Sequence, residues 1–80
     1  MKKRLIIPYE ENKNSSILIA LSKIRVHSDM RFEEIGIWGE LFHNKKDIYY
    51  DIPVDKLDLL LSSLNLSGFT YNIIEVPDLG

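Results

Sequence analysis

The sequence has no cysteine, and this single absence excludes several classes of site. Without a thiolate there is no disulfide, no cysteine nucleophile, and no zinc or iron–sulfur centre held by cysteine. A chain without cysteine fits a reducing compartment, where disulfides do not persist. We therefore expect a cytoplasmic location.

Long apolar runs are absent as well. The apolar stretch that follows the basic residues at the N-terminus stops at Ile7, and charge returns at Glu10, so it is shorter than the hydrophobic region of a signal peptide. No part of the chain approaches the roughly 18 consecutive apolar residues of a membrane span. We expect a protein that does not enter a membrane.

Catalytic and metal-binding patterns are also missing. The histidines, His27 and His43, lie at the ends of predicted elements beside polar residues, and neither has the several convergent ligands of a metal site. There is no Ser–His–acid set, no phosphate-binding glycine loop and no pair of catalytic carboxylates. The prediction is a non-enzymatic protein with no metal, no cofactor and no catalytic residue.

The chain does contain enough apolar material for one core. Its 80 residues are 45% hydrophobic and 28% charged, which is typical of a globular protein, so we predict a single domain over residues 1–80. The net charge of −2 hides an asymmetry, since residues 1–31 are net basic and residues 32–80 are net acidic. Such asymmetry could orient a dimer or steer a charged partner, or each half could decorate a solvated surface.

Periodicity in the apolar residues predicts six elements. They are a strand over residues 4–10, a helix over 17–26, strands over 33–42 and 45–53, a helix over 53–68 and a strand over 69–77. The second helix is the clearest, because its leucines recur at helical spacing and Gly68 follows them. The first helix is ambiguous, because the same residues also alternate as a strand would; an extended segment there would give a curled sheet with a single helix.

This order predicts an α+β fold of the ferredoxin-like split βαβ type, with a four-stranded antiparallel sheet and two helices on one face. Residues 33–42 would form a hairpin with residues 45–53. Pro8 conflicts with this topology, because the fold places the first strand in the middle of the sheet, where proline cannot donate to the ladder.

The uncovered face of that sheet would be apolar, because residues 33–42 carry apolar side chains on both sides of the predicted strand. The predicted interface residues are Ile6, Trp38, Phe42 and Tyr49. An exposed apolar face is an aggregation hazard, so we expect a partner to cover it, most simply a second copy of the chain. Alternatively, a bulge at the glycines of this strand curls the sheet and folds these side chains into one enlarged core.

These patterns predict a small binding or regulatory protein that acts through its sheet face, either as a homodimer or on a partner protein, in the manner of an inhibitor or immunity protein. Large aromatic side chains surrounded by charge are typical of a protein interface. Two other functions remain open.

The predicted order of elements resembles that of RNA-recognition-motif domains, which stack bases on aromatic residues of the open sheet face. The resemblance implies that Trp38 and Tyr49 could form a nucleic-acid platform. The predicted hairpin is acidic, however, and would repel phosphate, so we do not expect a nucleic-acid partner.

The same order resembles that of ACT-type regulatory domains, in which a small molecule sits near the first strand-to-helix loop. Here the loop over residues 9–16 would offer Asn14, Ser15 and Ser16, together with free N–H groups at the start of the helix. The loop lacks the glycine that such sites often use, and a solvated connection explains it more simply.

Overall fold

The computed structural model describes residues 1–76 as a three-stranded antiparallel sheet with three α-helices. The elements are β1 (Lys2–Ile7), α1 (Ile17–Val26), α2 (Phe32–His43), β2 (Ile48–Pro53), α3 (Val54–Leu66) and β3 (Asn72–Glu75), with a short 3₁₀ turn at Glu11–Lys13. Pro77, predicted to close the last strand, lies outside the described residues. Within them, every helix is too short or too polar to span a bilayer.

The ferredoxin-like prediction is wrong, because residues 33–42 belong to α2 and not to a strand. The sheet therefore has three strands in the order β2-β1-β3, and β2 pairs with β1 instead of forming a hairpin with the preceding segment. The order of elements is strand, helix, helix, strand, helix, strand.

The apolar residues of α2 show why this segment is helical. Ile35, Trp38 and Phe42 follow one another at helical spacing, so the side chains that a strand would put on opposite faces share one side of the helix. At the N-terminus, the backbone N–H of Arg31 donates to the Glu34 carboxylate (2.7 Å), which satisfies one of the free donors of the first turn. The helix thus removes the second apolar face that the strand interpretation created.

Other predictions from the sequence are confirmed. Residues 17–26 form a helix, which resolves the ambiguity in that segment, and α3 occupies most of the predicted 53–68 range. β1 ends at Ile7, directly before Pro8, so the proline interrupts no ladder. The central position of β1 and the presence of Pro8 are therefore compatible.

The core lies between one face of the sheet and the helices. Leu5 and Ile7 of β1, with Ile48 and Ile52 of β2, are fully buried, whereas the alternate residues of both strands are at least partly exposed. The buried helical residues that meet them are Ile17, Ala20, Leu21, Ile24, Phe42, Leu57, Leu60 and Leu64. α1 contacts both α2 and α3, so the three helices form one layer on one face of the sheet. Within residues 1–76, no helix packs over the other face, which we call the open face.

Candidate functional site

The open face of the sheet carries every second residue of each strand. These residues are Lys2, Arg4 and Ile6 from β1, Tyr49, Asp51 and Pro53 from β2, and Asn72 and Ile74 from β3. The register places Ile6 directly between Tyr49 and Asn72, and places Arg4 between Asp51 and Ile74. The face is therefore mixed. The row of Asp51, Arg4 and Ile74 carries two charges, and the adjacent row of Tyr49, Ile6 and Asn72 carries apolar and amide groups.

An aromatic pair lies at the β2 edge of this face. Trp38 reaches from α2 to Tyr49, and the two rings meet edge-on with centroids 5.4 Å apart and planes at 71°. This is the preferred geometry for two aromatic rings, because the positive edge of one meets the negative face of the other. Trp38 is half-buried by the contact, while Tyr49 remains 53% exposed. The pair thus offers a large accessible ring surface.

A charged pair lies next to the aromatic rings. The guanidinium of Arg4 donates to both carboxylate oxygens of Asp51, from Nε to Oδ1 at 2.8 Å and from Nη2 to Oδ2 at 3.4 Å. These hydrogen bonds raise the pKa of Arg4 above its usual value. Both side chains are partly shielded from solvent, so the pair is held in a defined orientation across β1 and β2.

A second layer of contacts fixes the base of this region. The hydroxyl of Tyr50 lies 3.2 Å from Oε2 of Glu34 on α2, which ties the helix to the edge strand. Burial, followed by the negative charge of Glu34, raises the pKa of the Tyr50 phenol, so the phenol stays a hydrogen-bond donor at neutral pH. Lys2 makes a more exposed ion pair with Asp29 (3.1 Å) at the rim.

Together these side chains enclose a depression of about 330 Å³, which we call the aromatic depression. It is lined by Lys2, Arg4, Asp29, Trp38, Tyr49, Tyr50 and Asp51. Two cations and two anions are among them, so the depression has no net charge. Its chemistry suits a side chain with both apolar and polar atoms.

The predicted interface residues do not all share this surface. Trp38 and Tyr49 line the aromatic depression, and Ile6 lies beside Tyr49 on the open face. Phe42 is fully buried, with its ring centroid 5.0 Å from that of Tyr9, so it belongs to the core. The reason is again the helix, which turns Phe42 towards the sheet while Trp38 reaches its edge.

Sequence reasoning missed the charged members of the depression, Lys2, Arg4, Asp29 and Asp51. Their proximity depends on the pairing of β1 with β2, which sets Arg4 opposite Asp51. The sequence interpretation paired β2 with residues 33–42 and so could not bring these charges together. Opposite charges near the ends of two strand patterns were the available signal.

The predicted ligand loop folds onto itself. The amide of Asn14 donates to the hydroxyl of Tyr9 (3.0 Å), and its backbone oxygen lies 2.9 Å from Nε2 of His43 at the end of α2. Ser16 precedes α1 and its hydroxyl points back to the Lys13 carbonyl, while Ser15 is exposed. These contacts tie the loop to the helices, and the three residues do not converge on a common cavity.

Both histidines lie within hydrogen-bond distance of backbone carbonyls. Nδ1 of His27 lies 2.9 Å from the Lys23 carbonyl, one turn earlier in α1, and His43 contacts the Asn14 carbonyl as described above. Across residues 1–76, no three histidine, aspartate or glutamate side chains come close enough together to hold a metal ion.

Comparisons with known proteins find no relative of this chain. No protein-family model matches this chain, no curated protein is significantly similar to it, and no solved structure matches it.

Proposed function

We propose that this is a small non-enzymatic binding protein that holds a protein partner on its open sheet face, at the aromatic depression. One observation carries the proposal: Trp38, Tyr49 and Arg4 line the same concave surface. Tryptophan, tyrosine and arginine are the residues most enriched among those that dominate binding energy at protein interfaces. A cytoplasmic location, expected from the sequence, belongs to the same proposal.

The size and charge of the depression favour a side chain of the partner as its occupant. A volume of about 330 Å³ is at the lower end of the range for small-molecule pockets and accommodates one or two side chains. The Arg4–Asp51 pair is preformed, so the partner need not supply a countercharge. Tyr50 adds a phenol that remains protonated at neutral pH.

A second copy of the chain is a weaker candidate for this face. Phe42, expected to be one of its anchors, is in the core, and the charged row of Arg4 and Asp51 occupies the middle of the sheet. Nucleic acid is also disfavoured, because the depression has balanced charges and the topology shared with RNA-recognition-motif domains is absent.

The proposal is tested by affinity capture from the native host with the wild-type protein and Tyr49→Asp. Tyr49 is exposed, so the substitution leaves the core intact, but it removes an aromatic ring and places a carboxylate in the depression. We expect the wild type to retain a partner that the variant loses. The matched control is Phe32→Asp, which alters another exposed aromatic residue, outside the depression.

The controls decide the interpretation. Circular dichroism should give the same spectrum for all three proteins, which shows that Tyr49→Asp acts on binding and not on folding. A partner that binds Tyr49→Asp as well as the wild type, or that Phe32→Asp loses equally, would overturn the proposal.

A further inference from the structure

The four charges that line the aromatic depression neutralise one another in pairs. The guanidinium of Arg4 donates two hydrogen bonds to Asp51, and Lys2 Nζ lies 3.1 Å from Oδ2 of Asp29. A charged side chain that entered would lose its hydration, and it would meet the like charge of each pair together with the opposite one. The depression therefore favours an occupant without net charge.

The charges behind the depression are balanced as well. The phenol of Tyr50 is influenced by Glu34, its hydrogen-bond acceptor, and by Arg31 at the start of α2. These two residues add one charge of each sign, so the α2 side of the depression does not change its net charge.

The aromatic pair favours a third ring over an aliphatic side chain. Trp38 and Tyr49 meet edge-on, and the half-buried indole and the 53% exposed phenol keep accessible ring surface. An aliphatic occupant would gain only from burial against these rings. An aromatic occupant would gain in addition from the edge-to-face contacts that ring pairs prefer.

Arg4 adds a further contact for a ring. It lies diagonal to Tyr49 on the open face, and its side chain stays 31% exposed although it is paired. A guanidinium is attracted to the face of an aromatic ring, and it stacks on rings because it is planar. The chain makes this type of contact elsewhere, since Arg25 Cζ lies 5.5 Å from the ring centroid of Phe32.

The rim of the depression favours a hydroxyl group on that ring. Lys2 and Asp29 are exposed by 45% and 78%, and an exposed ion pair of this kind rearranges at little cost. A phenol hydroxyl can donate to the carboxylate and accept from the ammonium, without bringing a charge of its own. Phenylalanine offers neither hydrogen bond, and the tryptophan N–H only donates.

We propose that the partner inserts a tyrosine side chain into the aromatic depression, with its ring against Trp38, Tyr49 and Arg4 and its hydroxyl towards Lys2 and Asp29. The volume of about 330 Å³ accommodates one aromatic side chain. This inference rests on the proposed function and adds the chemistry of the group that the partner contributes.

NMR titration of the full chain with four capped tripeptides tests the choice of side chain. The peptides are N-acetyl-Gly-X-Gly-amides in which X is tyrosine, phenylalanine, arginine or glutamate. We expect the tyrosine peptide to shift the amide resonances of Tyr49 and Asp51 and the indole N–H of Trp38, the sole tryptophan of the sequence. Its dissociation constant should lie in the millimolar range, because a single side chain makes few contacts. The phenylalanine peptide should bind several-fold more weakly, and the two charged peptides about tenfold more weakly.

Two charge variants test the neutrality of the depression. Asp51→Asn leaves two cations and one anion in the lining, and Arg4→Gln leaves one cation and two anions. We expect Asp51→Asn to bind the glutamate peptide several-fold more tightly than the wild type does, and Arg4→Gln to do the same for the arginine peptide. Circular dichroism spectra that match the wild type confirm that both variants fold.

Tyr49→Asp and Phe32→Asp locate the binding of the tyrosine peptide. Tyr49→Asp should lose it, because the substitution removes a ring from the depression. Phe32→Asp changes an exposed ring outside the depression and should bind the peptide as the wild type does.

Three results would overturn the inference. They are a tyrosine peptide that shifts no resonance of the depression, a charged peptide that binds there more tightly than the tyrosine peptide, and charge variants that keep the wild-type order of affinities. The proposed function fails in a different way, when the captured partner binds Tyr49→Asp as well as the wild type. A charged peptide bound in the depression would refute only the choice of tyrosine.

Discussion

The ends of α2 and α3 have the same backbone arrangement but different residues. In α2 the N–H of Lys46 reaches the carbonyl of Leu41, and in α3 the N–H of Phe69 reaches that of Leu64, both at 3.1 Å. Both helices therefore end in a Schellman motif, which requires a residue in the left-handed conformation just after the C-cap. That residue is Lys45 in α2 (φ 66°) and Gly68 in α3 (φ 75°).

The difference explains why one helix end was visible in the sequence and the other was not. Gly68 adopts a positive φ without steric cost, and a glycine at this position predicts the end of α3 from the sequence. Lys45 does so at a cost, which the surrounding contacts have to offset, and its identity gives no sign of a helix end. The Schellman motif can therefore be predicted from the sequence only where glycine occupies its left-handed position.

Phe42→Ala should have the largest effect, because it removes the buried ring in the last turn of α2. The ring is fully enclosed and packs on Tyr9, so its loss should reduce the free energy of unfolding by about 3–5 kcal/mol. Urea denaturation followed by circular dichroism measures the change. Tyr49→Ala, which truncates an exposed ring, should change stability by less than about 1 kcal/mol. Equal losses for the two variants would contradict the burial of Phe42 in the core.

Gly68→Ala should have the next largest effect. An added methyl group would meet nothing closer than Lys13 Nζ at 3.5 Å, so the cost comes from the positive φ and should be about 1–2 kcal/mol. The matched substitution at the other helix end, Lys45→Gly, relieves the same strain and should increase stability by up to about 1 kcal/mol. Thermal unfolding of both variants tests the comparison: we expect the Tm to fall for Gly68→Ala and to rise for Lys45→Gly. Tm shifts of the same sign would contradict the left-handed conformation shared by the two helix ends.

The parts of the fold that the sequence predicted are those in which pattern and packing agree. The buried leucines of α3, Leu57, Leu60 and Leu64, recur at helical spacing, and in the strand at Ile48–Pro53 the buried residues Ile48 and Ile52 lie on one face. α2 failed because its apolar residues fit two periods. Ile35 and Ile37 alternate as in a strand, while Ile35, Trp38 and Phe42 fit a helix.

That one misassignment also explains what was missed at the candidate site. With residues 33–42 as a strand, Trp38 and Tyr49 were expected to meet on a sheet face; in the structure they meet because α2 lies along the edge of β2. The pairing of Arg4 with Asp51 is a contact between distant segments, and no local pattern specifies it. Local periodicity was therefore enough to predict that Trp38 and Tyr49 lie together. Predicting the charged residues of the depression required the order of the strands.

Gly36→Ala has the smallest expected effect and distinguishes the two interpretations of residues 33–42 most directly. Gly36 lies on the exposed side of α2, and an added methyl group would meet no atom within 4 Å. Because alanine is favoured over glycine inside a helix, the substitution should stabilise the protein by about 1 kcal/mol, which corresponds to a rise of about 4–8 °C in Tm. Gly39→Ala is the matched control: its methyl group would lie 3.3 Å from Leu18 Cδ2, so crowding against α1 should cancel part of the gain. A Gly36→Ala variant no more stable than the wild type would contradict the helix at this position.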